Sequence, residues 1–304
     1  MRVLVTGKQG QLAKQLQLDA SAAITLQALD RAQCDIRDAT DVLAAVTDFS
    51  PDVVINAAAY TAVDQAESDA EQAYAVNALG AENIARACLA NDARLVQVST
   101  DFVFNGQQSQ PYQPSDAIDP LGVYGDSKAD GEQRVQALMP AAIILRTAWV
   151  YSCHGNNFMK TMLRLMAERD DLGVVADQIG TPTSTPTLAR AIFALIDNTQ
   201  AQGIYHCTDA GQGSWYDFAA AIYQQAQALG LLPANKSVTI RPITTTEYPT
   251  PAQRPAYSVL DHSRLKADTG LVMRDWRAVL AEELEKLLVG TAQTLKDSEC
   301  ISNK

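Results

Sequence analysis

Tyr124 and Lys128 stand four residues apart in Tyr124-Gly125-Asp126-Ser127-Lys128. At the start of a helix that spacing puts a phenol and an ammonium on one face. At about 6 Å and an effective dielectric of roughly 20, the lysine charge favours phenolate by about 3 kcal/mol, or about two pKa units. The chemistry this pair suits is protonation of an alkoxide as a hydride reaches a carbonyl carbon, with tyrosine as the general acid. The spacing alone is not specific, because a solvated lysine near a core tyrosine reads the same way. Position discriminates: the pair lies about 25 residues beyond Ser99-Thr100-Asp101, the end of an apolar strand, and ligands of open α/β sheets sit at strand C-termini.

A hydride needs a carrier, and the N-terminus offers a place for one. Val3-Leu4-Val5-Thr6-Gly7-Lys8-Gln9-Gly10-Gln11-Leu12-Ala13 reads as strand, glycine turn and helix. Gly7 and Gly10 let the backbone approach a pyrophosphate closely, and the helix N-terminus supplies free N–H groups and partial positive charge. Asp30 follows the second strand, where a carboxylate can bond an adenosine ribose. Asp30 suits a free 2′-hydroxyl and its neighbour Arg31 suits a 2′-phosphate, so the expected cofactor is NADPH or NADH. The bland reading of the glycines, a tight strand-to-helix turn, leaves Asp30 unexplained.

The elements that must position these groups alternate regularly. Val3–Val5, Ile24–Leu29, Val53–Ile55, Arg94–Val98 and Ala142–Leu145 are predicted strands. Gln11–Leu18, Asp41–Phe49, Ser68–Leu89 and Lys128–Leu138 are predicted helices. Near-continuous apolar strands in repeated βα units predict an α/β fold, a doubly wound, Rossmann-like parallel sheet covered on both faces. After about residue 150 the rhythm loosens and prolines gather, with helices expected at 157–169 and 215–229. The division expected is 1–150 for the dinucleotide and 151–290 for a smaller α/β substrate lobe, partly interleaved with the first. Residues 291–304 read as a polar tail.

Bulk properties exclude several classes. The 304 residues carry a net charge of −11, the wrong sign for a general nucleic-acid binder. No apolar run approaches the roughly 20 residues that span a bilayer. Five cysteines without CxxC spacing read as free thiols in a reducing compartment, the cytoplasm. His154, His206 and His262 are scattered without HxH or HxxxH pairing, so no metal site is expected. Arg254, in a loop stiffened by Pro249, Pro251 and Pro255, is a candidate for a diphosphate, since a guanidinium forks well onto phosphate. Asn156 can bond a ligand, although a turn explains it nearly as well. Trp215 and Trp276 read as core. The acidic run from Asp64 to Glu71 reads as a solvated helix start.

Together with Asn56-Ala57-Ala58-Ala59-Tyr60-Thr61 and Ser99-Thr100-Asp101-Phe102-Val103-Phe104, the glycine turn and the tyrosine–lysine pair resemble the extended short-chain dehydrogenase/reductases. Further stretches narrow the resemblance to the family of dTDP-4-dehydrorhamnose reductases: Arg146-Thr147-Ala148-Trp149-Val150-Tyr151, Gly155-Asn156-Asn157-Phe158, Gln178-Ile179-Gly180-Thr181-Pro182-Thr183, Ser214-Trp215-Tyr216-Asp217-Phe218 and Tyr248-Pro249-Thr250-Pro251-Ala252-Gln253-Arg254-Pro255. The resemblance implies NAD(P)H-dependent reduction of the C4 keto group of dTDP-4-dehydro-β-L-rhamnose, with a dTDP-sugar as partner, and it is compatible with a homodimer. It implies Tyr124 as proton donor, Lys128 as its helper and holder of the nicotinamide ribose, and Thr100 on the keto oxygen. Asp101 and Trp149 would touch the sugar nucleotide. Gly10, Gln11, Leu12, Asp30, Asp35, Ile36, Ala59, Tyr60 and Thr61 would line the cofactor. Ala13 departs from the glycine common at its position but still permits close helix packing. Two other readings share the fold: a non-catalytic NADP-binding regulatory subunit, and another sugar-nucleotide reductase, epimerase or dehydratase. An intact Tyr124, Lys128 and Thr100 argue against the first, and release of cofactor on purification would argue against an epimerase or dehydratase.

Overall fold

Three of the central strands carry an unbroken apolar run, Val3–Val5, Val53–Ile55 and Ile143–Leu145, because both faces of the sheet are covered there. In the computed structural model, which describes residues 1–288, Val3 and Val5 enter one core while Leu4 enters the other. Val53 and Ile55 separate from Val54 in the same way, as do Ile143 and Leu145 from Ile144. Successive strand side chains point to opposite faces, so an all-apolar run means two buried faces.

The strands β1 (Arg2–Thr6), β2 (Thr25–Leu29), β3 (Val53–Asn56), β4 (Arg94–Thr100) and β5 (Ile143–Thr147) alternate with α1 (Gln11–Asp19), α2 (Ala39–Phe49), α3 (Val63–Ala66), α4 (Ala70–Tyr74), α5 (Gly80–Ala90) and α6 (Val123–Leu138). Then follow β6 (Val150–Tyr151), α7 (Phe158–Glu168), β7 (Asp171–Val175), β8 (Ile179–Gly180), β9 (Thr183–Ser184) and α8 (Thr185–Asp197). The chain continues through β10 (Gly203–His206), β11 (Gly213–Ser214), α9 (Trp215–Ala228), β12 (Thr239–Ile243) and α10 (Ser263–Thr269). The last described helix, α11, spans 276–288.

Six strands form one parallel sheet in the order β10-β5-β4-β3-β1-β2. The order reverses between β1 and β3, and that switch point is where such sheets open a crevice for a ligand. The chain returns to the sheet after residue 200, because β10 pairs with β5. Helix α8 packs on α1 through Leu188, Ile192 and Leu195 of the first core. A separate core of Tyr151, Met159, Met166, Phe218 and Trp276 joins α7, α9 and α11, beside the parallel pair β7–β12. The tail expected at 291–304 lies outside the described residues.

Two helices differ from expectation. The run predicted at 68–89 is divided by a π-helical turn over Ala75–Leu79. Helix α6 begins at Val123, five residues before the predicted start, so Tyr124 lies in its first turn. Its Gly122 cap has no side chain to signal a start; instead the Val123 N–H donates to Oε1 of Glu67, 2.9 Å away on the segment after α3.

Candidate active site

The C-terminal ends of β1 to β5 open into a cleft of about 1060 Å³. Gly7, Gly10, Gln11, Leu12, Asp30, Asp35, Ile36, Ala59, Tyr60, Thr61, Tyr124, Lys128 and Asn156 all line it. Thr100 and Asp101 are almost fully buried just behind it, at the end of β4. Trp149 and Arg254 stand outside that lining.

The glycine turn is built for a close approach. Gly7 has φ of +76°, and a Cβ there would lie 2.9 Å from the Ala58 nitrogen. The Gly10 N–H closes the turn onto the Gly7 carbonyl at 2.8 Å. Helices α2, α7, α8 and α9 have their first N–H groups capped by Asp38, Asn157, Ser184 and Ser214. Helix α1 starts on Gly10 with no side-chain cap, leaving its N–H groups directed at the cleft for an anion. A pyrophosphate therefore fits the residues present.

At the far end of the cleft, Oδ1 of Asp30 accepts the N–H groups of Ala32 (3.0 Å) and Gln33 (3.2 Å), which fixes the turn after β2. Asp35 is forked by Arg37 and touched by the exposed Arg31 at 3.4 Å; the Arg37 bond holds its carboxyl well below the usual range. Arg37 was not found from sequence, although it lies two residues from Asp35 and lines the same cleft.

The π turn accounts for another residue that sequence reasoning missed. Asn77 is buried there, and its amide accepts the Tyr60 N–H (2.9 Å) and donates to the Tyr60 carbonyl (3.1 Å) and the Ser127 hydroxyl (3.0 Å). One side chain thus ties the Ala59–Thr61 loop to the segment between Tyr124 and Lys128. Such turns recur at functional sites because they re-aim a side chain. The acidic run is likewise more than a solvated face: Asp64 binds Arg254, Glu67 caps α6 and Asp69 accepts the Tyr60 hydroxyl at 3.1 Å. Each meets a donor that the tertiary structure carries to it.

Tyr124 is packed edge-on by Phe102, with ring centroids 5.5 Å apart. Burial, reinforced by Asp101, raises its pKa to about 12, and a hydrogen bond with Thr100 acts the other way. Lys128 Nζ donates to the Val98 carbonyl at 2.6 Å, and burial lowers its pKa to about 8. The Thr100 hydroxyl donates to Asp101 at 3.1 Å, and burial raises the Asp101 carboxyl to about 6. Beneath these groups Arg146 of β5 forks onto Glu132 of α6 at 2.7–3.2 Å, with both side chains at most 3% exposed, and this pins the helix to the sheet.

Trp149 adopts φ of +47°, rare for a bulky residue. Its ring stacks on Trp215 with centroids 3.5 Å apart and planes 8° apart. A Cβ on Gly180 would meet the Trp149 ring at 2.6 Å. Trp215 is therefore half-buried against Trp149 rather than simple core, whereas Trp276 is fully buried. Cys34, Cys88, Cys153 and Cys207 are free thiols, and Cys300 lies outside the described residues. Among the described residues no helix is long and apolar enough to cross a membrane, and no His/Cys/Asp/Glu group is arranged to hold a metal ion.

Comparison with known proteins agrees with this geometry. Residues 1–289 match the family described as the RmlD substrate binding domain. A dTDP-4-dehydrorhamnose reductase of Aggregatibacter actinomycetemcomitans is 43% identical over 92% of this chain and 97% of its own. The crystal structure of a dTDP-4-dehydrorhamnose reductase from Clostridium acetobutylicum superposes with a TM-score of 0.89 at 41% identity, covering 95% of this chain and 100% of that one. That of the Bacillus anthracis reductase, solved in complex with NADP, gives 0.87 at 39% identity, covering 95% and 99%. With an uncapped helix terminus, the Asp30 carboxylate and a tyrosine–lysine pair on one cleft, and with relatives matching over nearly its whole length, the chain belongs to the RmlD family, that of the dTDP-4-dehydrorhamnose reductases.

Proposed function

We propose that this chain reduces the C4 keto group of dTDP-4-dehydro-β-L-rhamnose to give dTDP-L-rhamnose, using NADPH or NADH. The observation that carries the proposal is that Tyr124 and Lys128 line the same cleft as the uncapped N-terminus of α1 and the Asp30 turn. Gly7, Gly10, Gln11 and Leu12 would hold the pyrophosphate, Asp30 or Arg31 the adenosine ribose, and Asp35, Ile36, Ala59, Tyr60 and Thr61 the surrounding surface. When bound, the reduced nicotinamide supplies the hydride. Thr100 orients the keto oxygen, and Tyr124 delivers the proton to the alkoxide from its phenol oxygen. Lys128, cationic below about pH 8, steadies the phenolate left behind. Asp101, Trp149, Asn156 and Arg254 are proposed for the sugar nucleotide. Residues 1–150 would chiefly carry the dinucleotide and 151–290 chiefly the substrate. The assembly we propose is a cytoplasmic homodimer without a nucleic-acid partner, in keeping with the charge of −11 and with Leu79 and Leu89 exposed in and beside α5.

The test is loss of nicotinamide absorbance on adding enzymatically generated dTDP-4-dehydrorhamnose, repeated with Tyr124→Phe. The expected result is substrate-dependent oxidation that falls by about 10²–10⁴-fold in the variant while NADPH affinity is kept. No oxidation by wild-type protein that binds NADPH would remove the named substrate.

A further inference from the structure

Arg254 is the residue proposed for a diphosphate, yet its guanidinium is already engaged. Nη1 and Nη2 donate to Oδ1 and Oδ2 of Asp64 at 3.0 and 2.8 Å. Nη1 also reaches the Thr250 hydroxyl at 2.5 Å and the Ala252 carbonyl at 3.2 Å. Asp64 lies in α3, three residues after Thr61 of the cleft lining. The Ala252 N–H donates to the same carboxylate at 3.3 Å. One carboxylate therefore holds both the guanidinium and the backbone of the proline-stiffened 249–255 segment.

That segment also abuts the loop that leaves Thr100 and Asp101. A Cβ at Gly106 would lie 2.7 Å from both the Pro255 Cα and the Ala256 nitrogen, so the two backbones touch. The strap thus runs from α3 to the loop whose Phe102 packs on Tyr124. Arg254 and Asp64 are 21% and 42% exposed, so water and small anions reach the pair. A carboxylate and a diphosphate present the same feature to a guanidinium, two oxygens matched to a planar fork. Both cannot occupy that fork together.

We propose that Asp64 is a positioning residue: it keeps Arg254 oriented while the cleft is free of nucleotide and yields the guanidinium to the diphosphate of the incoming nucleotide sugar. This rests on reading the cleft as a nucleotide-sugar reductase site. Asp64 and the ligand then compete for one fork, so removing the carboxylate charge strengthens binding rather than weakening it.

The experiment is calorimetric titration of dTDP into NADPH-loaded enzyme, for wild type, Asp64→Asn, Asp64→Glu, Arg254→Ala and the double variant Asp64→Asn/Arg254→Ala. Asp64→Asn is expected to tighten dTDP by about fivefold, the order of one partly exposed ion pair removed from the unliganded side. Asp64→Glu should return affinity close to wild type. Arg254→Ala should weaken dTDP by at least about tenfold, and the Asn change should add nothing in that background. In turnover, the Asp64→Asn shift should fall on KM for the sugar nucleotide and not on KM for NADPH. Weaker dTDP binding by Asp64→Asn, or an equal Asn effect with and without Arg254, would make Asp64 a plain loop anchor and overturn the exchange alone. Wild-type holoenzyme that ignores dTDP would overturn both the exchange and the reductase reading beneath it.

Discussion

Gly125 follows Tyr124 directly in the first turn of α6, and the structure leaves no room for a side chain there. An ideal Cβ would lie 2.2 Å from the Phe102 carbonyl oxygen, whereas ordinary contact begins near 3.4 Å. Gly125→Ala must therefore separate the helix start from the 101–103 turn by about 1 Å. The rest of the helix resists moving as a body. Gly131 sits equally close to the Asn77 carbonyl, and the Arg146–Glu132 fork pins the following turn. Displacement concentrates at the N-terminal turn, which carries Tyr124. A misplacement of about 1 Å in a reacting group costs about 10²-fold in rate, or about 2.7 kcal/mol of barrier. Overpacking itself should cost about 1–3 kcal/mol of stability. The assay is steady-state oxidation of NADPH with the keto-sugar nucleotide, alongside NADPH binding and thermal unfolding of the same variant. A fall of about 100-fold in kcat with NADPH affinity within a few-fold is expected, because α1 and Asp30 are untouched. Turnover within twofold of wild type, at an unchanged Tm, would refute the claim that this contact places the phenol.

Three further outcomes follow from the charges around the site. Because burial lowers Lys128 to about 8, the ammonium that steadies the phenolate is lost as pH rises above that value. kcat should then fall about tenfold per unit on the alkaline side, and a profile flat to pH 10 would remove Lys128 from the rate-limiting step. Asp101 is raised from an ordinary 3.8 to about 6, so the folded state favours its protonated form and stability is lost as pH climbs through that interval. Asp101→Asn should gain on wild type between about pH 4 and 6.5 and level off near about 3 kcal/mol; a pH-independent difference in chemical denaturation would contradict this. Glu132→Gln strands the buried Arg146 charge and should cost about 3–5 kcal/mol, largely recovered by adding Arg146→Met; a marginal loss in the single variant would show that water reaches the pair.

The sheet was legible to within a residue or two at β1, β3 and β5, where three consecutive apolar side chains (Val3–Val5, Val53–Ile55, Ile143–Leu145) form the middle of the strand. The chemistry was legible where it is local. Tyr124 and Lys128 fall on one helical face by spacing alone, and Gly7 and Gly10 report a turn that only small residues allow. The start of α6 was hidden because its cap is Glu67, 56 residues away. The π turn was hidden because its helix reads as continuous by apolar period. What re-aims Asn77 is an exchange of backbone bonds, stabilised by partners at Tyr60 and Ser127.

The amino-acid order, then, determined the alternation of strands and helices, the glycine turn that opens α1, the carboxylate that follows β2 and the tyrosine–lysine pair on α6, because each is written in residues within a turn or a strand of one another. Tertiary structure alone decided how those groups are held and charged. It paired Arg146 with Glu132, Arg254 with Asp64 and Asn77 with Tyr60, and it brought β10 back to the sheet edge beside β5. It also raised Tyr124 and lowered Lys128, the one partly and the other almost wholly withdrawn from water. Spacing along a chain encodes which side chains share a face, but desolvation and long-range partners exist only once the faces have packed.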